Sequence, residues 1–320
     1  MRIVSGIQPS GRPHIGNYLG AMRQHVALQE AGEDCLYIVV DYHALTSLRN
    51  GEDLKRYREG VALDYLALGL DPNKAILFYQ SDLPQHAELA WILGTVAPHA
   101  LLERAHAWKD AVEKGNRDMN VGLFTYPVLM AADILMYNPD IVPVGADQKQ
   151  NVEMTRDIAE KFNHYYGETF KLPEPQISKE VGTILGTDGR KMSKSYGNTI
   201  GIFEDEDVLK KQVMGIKTAT IDLKDPMPIE NDIILSLYEQ FSSSQELDEL
   251  KSNYAAGGFG YGSAKKALLK KLLESFAEAR EKRTQFNTKN LGEIMAMGAE
   301  KAQKLANITM DLVYKNTGLY

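Results

Sequence analysis

Short apolar runs alternate with longer amphipathic stretches through the first half of the chain. "RIVSGI" (2–7), "CLYIVVD" (35–41), "KAILFYQSD" (74–82) and "DIVPVG" (140–145) are brief, rich in β-branched and aromatic residues, and bounded by turn formers; they predict strands. Between them lie segments with apolar residues three and four apart, which predict helices. These are "IGNYLGAMRQHVALQEA" (15–31), "GEDLKRYREGVALDYLALGL" (51–70), "PQHAELAWILGTVA" (84–97), "FTYPVLMAADILMY" (124–137) and "QKQNVEMTRDIAEKFNHYYG" (148–167). Strand and helix in strict alternation imply a Rossmann-like α/β fold, a parallel sheet covered by helices on both faces. Ligands of such sheets sit at the carboxyl ends of the strands, near a switch in strand order.

The pattern changes after "KLPEPQISKE" (171–180), whose two prolines end the alternation. "GTDGRKMSKSYGN" (186–198) follows, with three cations, several hydroxyls and glycines at 186, 189 and 197. It holds no apolar run and reads as a mobile loop whose charge seeks an anion. From about residue 203 strand signals vanish and every apolar pattern has helical spacing, with Asp205, Asn231 and Ser263 as expected N-caps and Gly257 as a stop. The expected organisation is a catalytic α/β domain with a helical insertion over 1–185, a loop and linker over 186–200, and an all-helical domain over 201–290. A C-terminal helix over 291–320 is placed to pack back on the first domain.

Composition narrows the setting. No apolar run approaches the ~20 residues of a membrane span, and the start "MRIVSGIQPSG" lacks a signal-peptide apolar core. A cytoplasmic protein with no membrane contact is expected. Cys35 is the sole cysteine, which excludes an internal disulfide or a cysteine metal cluster, and its apolar run marks it as a buried thiol. With 36 Lys and Arg against 43 Asp and Glu, the net charge is −7. A nucleic-acid partner would therefore have to be held by a local basic patch rather than by overall charge.

Two constellations suit phosphate. In "GIQPSGRPHIGN" (6–17) a strand runs through a Gly- and Pro-rich turn into a helix. A helix N-terminus offers unpaired N–H groups and a positive dipole end. A merely well-capped helix start would look the same. The loop 186–198 taken alone reads equally as a solvated charged turn. Together they could close on one polyphosphate.

"PHIGN" and "KMSKS" resemble the paired HIGH and KMSKS signatures of class I aminoacyl-tRNA synthetases, with Asn17 in place of the final His. Within that class, "SGIQPSGRPHIGNYLGA", "YPVLMAADIL" and "VPVGADQKQ" look like tryptophanyl-tRNA synthetases. The resemblance covers most of the chain. It implies that tryptophan and ATP form tryptophanyl-adenylate and pyrophosphate, and that the tryptophanyl group passes to tRNA(Trp). It also implies Mg²⁺ screening the polyphosphate, with no protein metal ligand expected, and a homodimer.

Site roles follow from the matched motifs. Gln8, Pro9, Ser10, Gly16 and Asn17 would line the ATP site. Gly145, Ala146 and Asp147 would meet the adenosine, although the family usually has Glu at the position of Ala146, and Ile184 would touch the adenine. Lys191, Met192, Ser193, Lys194 and Ser195 would hold the phosphates, with His14, Lys191 and Lys194 as the catalytic groups. A further family lysine, near Ala111, has no counterpart, Lys109 being the nearest. Tyr126, Met130 and Asp133 share a helix face; Tyr126 and Met130 would flank the indole, Asp133 would accept its N–H, and Gln148 would meet the amino group. Core packing is the ordinary fate of a residue like Met130, but an acid inside "LMAADILM" needs a partner. Asp41 and His43, at a strand end, fit either a structural role or the amino-acid site.

The expected tRNA contact is "AKKALLKKLLESFAEAREKR", read as one helix carrying Lys265, Lys266, Lys270, Lys271, Arg280, Lys282 and Arg283. A solvated amphipathic helix is the alternative. A tyrosyl-type synthetase, an adenylylating nucleotidyltransferase without tRNA and a non-catalytic tRNA-binding relative are the competing functions.

Overall fold

The computed structural model describes residues 1–320 except 116–118 and 178–182. Ser178 to Glu180, the end of the proline-rich stretch, therefore lie outside the described residues. Five strands form one parallel sheet: β1 (Arg2–Ile7), β2 (Asp34–Val39), β3 (Ile76–Tyr79), β4 (Ile141–Val144) and β5 (Glu174–Ile177). Their order is β3-β2-β1-β4-β5. The chain thus lays three strands outward, returns across the first, and continues on its other side. β1 and β2 pair in unbroken register from Arg2↔Asp34 to Ile7↔Val39, while β1 and β4 meet at Ile3↔Ile141. The continuous apolar run of β2 matches its position: Cys35 to Val39 are all buried, as in a strand covered on both faces.

β5 is a correction to the sequence reading, which ended the alternation at residues 171–180. Proline cannot donate to a ladder, so "PEPQI" argues against a central strand. An edge tolerates it. Among the described residues β5 has only β4 as a neighbour, and it pairs from Ile141↔Glu174 to Val144↔Ile177.

The chain divides into two compact units. The first comprises Met1–Arg12, Arg23–Lys179 and Phe286–Tyr320; the second comprises Pro13–Met22 and Glu180–Gln285. In the first, Val4, Leu36, Ile38 and Phe78 of the sheet join Leu89, Ala131, Met154 and Phe162 of the flanking helices in one apolar core. The helix Thr288–Thr317 belongs to that core through Ala302, Ala306, Met310 and Val313. At Gly298 it comes so close to β3 that an added Cβ would lie 1.8 Å from the Leu77 carbonyl oxygen.

The second unit is helical, with Glu206–Met214, Ile233–Glu239, Ser244–Ala256, Gly260–Ser275 and Ala277–Gln285. Pro13–Met22 joins it through the Ile15 N–H, which donates to the Ile200 carbonyl at 2.9 Å, and through a bridge between His14 and Gly201. Tyr18 stacks on Phe241 and meets the edge of Phe276. The helical run that starts at Ile15 passes through a π-turn at Tyr18–Met22 before Arg23–Glu30. Asp205 occupies an N-cap and Gly257 ends Ser244–Ala256 at φ 71°, as the spacing predicts. Asp232, not Asn231, caps the next helix, accepting from the Leu235 N–H. Ser263 lies inside Gly260–Ser275.

Candidate active site

One group of the sequence-predicted residues lies in the first unit, at the carboxyl edge of its sheet. Gln8 follows β1, His43 follows β2, Gln80 follows β3 and Gly145 follows β4. The helix Val121–Leu135 places Asp133 among them, 4% exposed. Its Oδ1 accepts from Gln80 Nε2 and His86 Nδ1, each at 2.7 Å, and its Oδ2 lies 2.8 Å from His43 Nε2. The Tyr137 hydroxyl lies 2.9 Å from His86 Nε2. Burial pushes the Asp133 carboxyl up, but the bonds from His43 and His86 more than offset it and hold it below the usual carboxylate range. Asp133 is therefore an anion in a dry setting, with its oxygens aimed by three neighbours.

Apolar groups stand beside it. Met130 and Val144 pack on Ile134, Val142 and Val152. The Tyr126 ring meets His43 edge-on, and its hydroxyl donates to Asn151 Oδ1 at 3.2 Å. Asn151 Nδ2 in turn donates to Gln148 Oε1 at 2.8 Å. So Tyr126, Met130, Asp133 and Gln148 belong to one edge of one unit. Gln8 Nε2 donates to the His43 carbonyl at 3.2 Å, which ties the first strand's loop to the same edge. Pro9 is buried, whereas Ser10, Gly145, Ala146 and Asp147 are exposed.

A second group of the sequence-predicted residues lies in the second unit. His14 is buried, and its ring covers Gly16, where a Cβ would sit 3.0 Å from His14 Nδ1 and Cε1. That close approach is what glycine permits here. Asn17 Oδ1 accepts from the His14 main-chain N–H, and His14 Nδ1 has no hydrogen-bond partner. Burial first, and the nearby charge of Lys194 second, push the His14 pKa down to about 4. The imidazole is neutral at physiological pH and offers a nitrogen to a ligand. Met192 is buried beside Gly16, so its side chain packs the charged loop against the helix start.

The loop has local structure of its own. Leu185 bridges Lys191, the Met192 N–H donates to the half-buried Ile184's carbonyl at 2.8 Å, and Gly189 turns the hairpin at φ 85°. Lys194–Tyr196 forms a 3₁₀ turn ended by Gly197 in the left-handed region. Ser193 and Ser195 hydroxyls lie 2.9 Å apart, and the Arg190 guanidinium lies over the Tyr196 ring. A segment without an apolar run still buries Met192 and Asn198.

A sequence model of the tRNA synthetases of class I (W and Y) matches residues 1–277. The chain belongs to that family. It is 51% identical to the tryptophan–tRNA ligase of Fusobacterium nucleatum over 308 residues, 95% of this chain and 94% of that one. With the tryptophan–tRNA ligase of Rhodopirellula baltica it shares 47% over the full length of both. The crystal structure of Campylobacter jejuni tryptophanyl-tRNA synthetase complexed with ADP and tryptophan matches it with a TM-score of 0.93. That match has 46% identity and covers 99% of this chain and 100% of that chain.

Several residues of this synthetase fold escape a reading of the sequence. Gln80, His86 and Tyr137 have no motif; Gln80 and His86 are marked by their bonds to Asp133, and Tyr137 by its bond to His86. His43, open to two roles in the sequence, bonds Asp133 directly. The expected basic stripe is corrected. Its helix breaks at Phe276 into two, and much of its charge is spent internally. Lys271 pairs with Glu246 at 2.6 Å, Lys282 with Glu278 at 2.6 Å, and Lys265 donates to the Met214 carbonyl. Arg280 donates to the carbonyls of Ile202 and Glu204, both at 2.7 Å. Arg280 therefore does not share an open face with Lys266 and Lys270, which are exposed. On the helix His106–Glu113, Ala111 is buried and Lys109 exposed.

Proposed function

We infer that this chain is a tryptophan–tRNA ligase, which activates L-tryptophan with ATP and then charges tRNA(Trp). The observation that carries the reading is the buried Asp133 carboxylate, kept ionised and aimed by His43, His86 and Gln80 beside Met130 and Tyr126. A carboxylate so placed suits an aromatic ring with one N–H donor. A site built to bond that donor rejects a side chain lacking it by up to ~10⁴–10⁵-fold. Tyr126 and Met130 flank the indole, and Gln148 meets the amino group.

The tryptophan carboxylate attacks the α-phosphate in line, forming the mixed anhydride as the bond to pyrophosphate breaks. A ribose hydroxyl of the tRNA then attacks the acyl carbon and AMP leaves. No covalent enzyme intermediate is needed, so catalysis is positioning plus stabilisation of phosphate charge. Gln8, Pro9, Ser10, Gly16, Asn17, Gly145, Ala146, Asp147 and Ile184 receive the nucleotide. His14, Lys191 and Lys194 act on the phosphates, with Met192, Ser193 and Ser195 shaping the segment that carries them. Among the described residues no group of three or more His, Cys, Asp or Glu could hold a metal. Mg²⁺ would arrive on the polyphosphate and screen its charge.

The helices of 201–290 read the anticodon region, with the exposed Lys266 and Lys270, the latter beside Glu274, as candidate contacts. We place the protein in the cytoplasm as a homodimer. Support for the first is that no described helix is long and apolar enough to cross a membrane. Support for the second is that Trp91, Val112 and Val121 of the first unit are 78%, 51% and 77% exposed, large apolar side chains that suit an interface. Exchange of labelled pyrophosphate into ATP should depend on tryptophan and not on tyrosine, and tRNA(Trp) should be charged. Absence of exchange with every amino acid overturns the reading; exchange with tyrosine alone overturns the specificity.

A further inference from the structure

Asn198 is 2% exposed and lies at the end of the cationic segment. Its side chain uses both donors and its acceptor within that segment. Oδ1 accepts the Ser193 N–H at 2.8 Å, and Nδ2 donates to the Lys191 carbonyl at 3.1 Å and to Asp188 Oδ1 at 2.6 Å. Its main-chain carbonyl accepts the Thr187 N–H at 2.9 Å. One buried amide thus binds both strands of the hairpin and the residues on either side of Met192.

The neighbours are fitted to it. A Cβ on Gly186 would lie 2.3 Å from Asn198 Cγ and Nδ2 and 2.6 Å from its carbonyl oxygen, so only glycine lets the amide lie there. Asp188 also accepts from the Arg190 N–H and pairs with its guanidinium at 2.6 Å. The Asn198 amide first, and Arg190 after it, hold the Asp188 carboxyl down to about 2. Gly197, at φ 63° and ψ 22°, closes the turn directly before Asn198.

We propose that Asn198 is the positioning residue of the phosphate clamp: by fixing the Lys191 carbonyl and the Ser193 amide it sets the directions in which Lys191 and Lys194 leave the main chain. This rests on the reading of those lysines as phosphate ligands. Catalysis by charge requires donors already in place when charge develops, and a displacement of about 1 Å can cost ~10²-fold. Without Asn198 the Ser193 N–H and Lys191 carbonyl turn to water, and the two lysines keep their charge but lose their aim.

The test is single-turnover tryptophanyl-adenylate formation by the full chain, with thermal midpoints recorded for each variant. Asn198→Ala should slow the step ~10–100-fold while the KM for tryptophan stays within about twofold, because Asn198 makes no bond at the amino-acid edge. On a Lys194→Ala background the same change should cost less than about threefold, since residues acting as one unit are not additive. The exchange Asp188→Asn with Asn198→Asp restores one donor–acceptor pair between 188 and 198. It should recover much of the rate lost by Asn198→Asp alone, and it decides the matter if Asn198→Ala does not fold. An Asn198→Ala rate equal to wild type, a full additive loss on Lys194→Ala, or no rescue by the exchange overturns the proposal. If Lys194→Ala itself keeps the wild-type rate, it is the clamp reading that fails.

Discussion

His86 offers a test of how Asp133 is kept ready. It is fully buried, gives its Nδ1 proton to Asp133 at 2.7 Å and lies 2.9 Å from the Tyr137 hydroxyl at Nε2. Asparagine places its amide near the Nδ1 position and can keep the bond to Asp133. Glutamine places its amide near Nε2 and drops it. A hydrogen bond to a charged group contributes about 1.5–3 kcal/mol, and one pKa unit corresponds to about 1.36 kcal/mol. His86→Gln should therefore raise the Asp133 pKa, since one of the donors that holds it down is lost. The sign follows from the structure: donation from His43 and His86 holds the carboxyl below its ordinary value against the opposing effect of burial, so removing a donor lets burial win. The other titratable groups facing the pair are His43, Tyr126 and Tyr137, and all remain in both variants. The assay is kcat/KM for tryptophan in pyrophosphate exchange, followed to the lowest pH at which the protein stays folded. Its acid limb should move to higher pH in His86→Gln and stay nearly in place in His86→Asn, with the KM for ATP unchanged in both. An acid limb that does not move, or equal losses in the two variants, refutes the assigned role.

Lys194→Ala should slow adenylate formation by ~10²–10³-fold, the scale of one lost transition-state contact; a single-turnover rate within threefold of wild type would count against it. His25 is buried against Tyr65 and Tyr37, and burial pushes its pKa down from 6.5 to about 3. Its neutral form is favoured by folding, so the stability it supports is complete above pH 6.5 and is lost as pH falls toward 3, by at most about 1.4 kcal/mol per unit. Denaturation midpoints of His25→Phe measured between pH 6.5 and 4 should show a shallower decline than wild type, and an identical slope rejects the assignment. Gly298→Ala would put a Cβ 1.8 Å from the Leu77 carbonyl oxygen, forcing helix and strand apart. It should cost about 1–3 kcal/mol or more, read as a lowered urea midpoint, and an unchanged midpoint would mean that the close approach is relieved freely.

What the chain reveals before folding depends on how far apart the interacting residues are. The sheet is legible because four of its strands announce themselves locally, and β1 is predicted residue for residue at 2–7. β5 is hidden because its prolines carry the signal of a break, and only its place at the edge makes them acceptable. The two phosphate-suited motifs are legible, and so is the expectation that they act together, but not the bonds that join them. Pro13–Met22 is continuous in sequence with β1, yet it clusters with residues 180–285 because Ile15 and His14 bond across to Ile200 and Gly201. Charge misleads in a similar way. Seven cations in one stretch predict an open basic face, but Glu246 lies 25 residues from Lys271 and the carbonyl of Ile202 lies 78 residues from Arg280. Neither partner is visible in the helical spacing.

The amino-acid half shows the limit most plainly. Asp133 is suspicious on its own, since an acid in an apolar helix must be partnered. Its partners His43, Gln80 and His86 stand 90, 53 and 47 residues away, and no spacing rule connects them. What connects them is topology. In a parallel sheet every strand delivers the residue after its last pair to the same edge, so His43 and Gln80 arrive beside Asp133 because β2 and β3 end there. Residues that follow strand ends were therefore the signal that could have found them. His86 comes instead from the helix Gln85–Gly94 and is fully buried, so the loss of its donor in His86→Gln should be felt at Asp133 rather than absorbed by water.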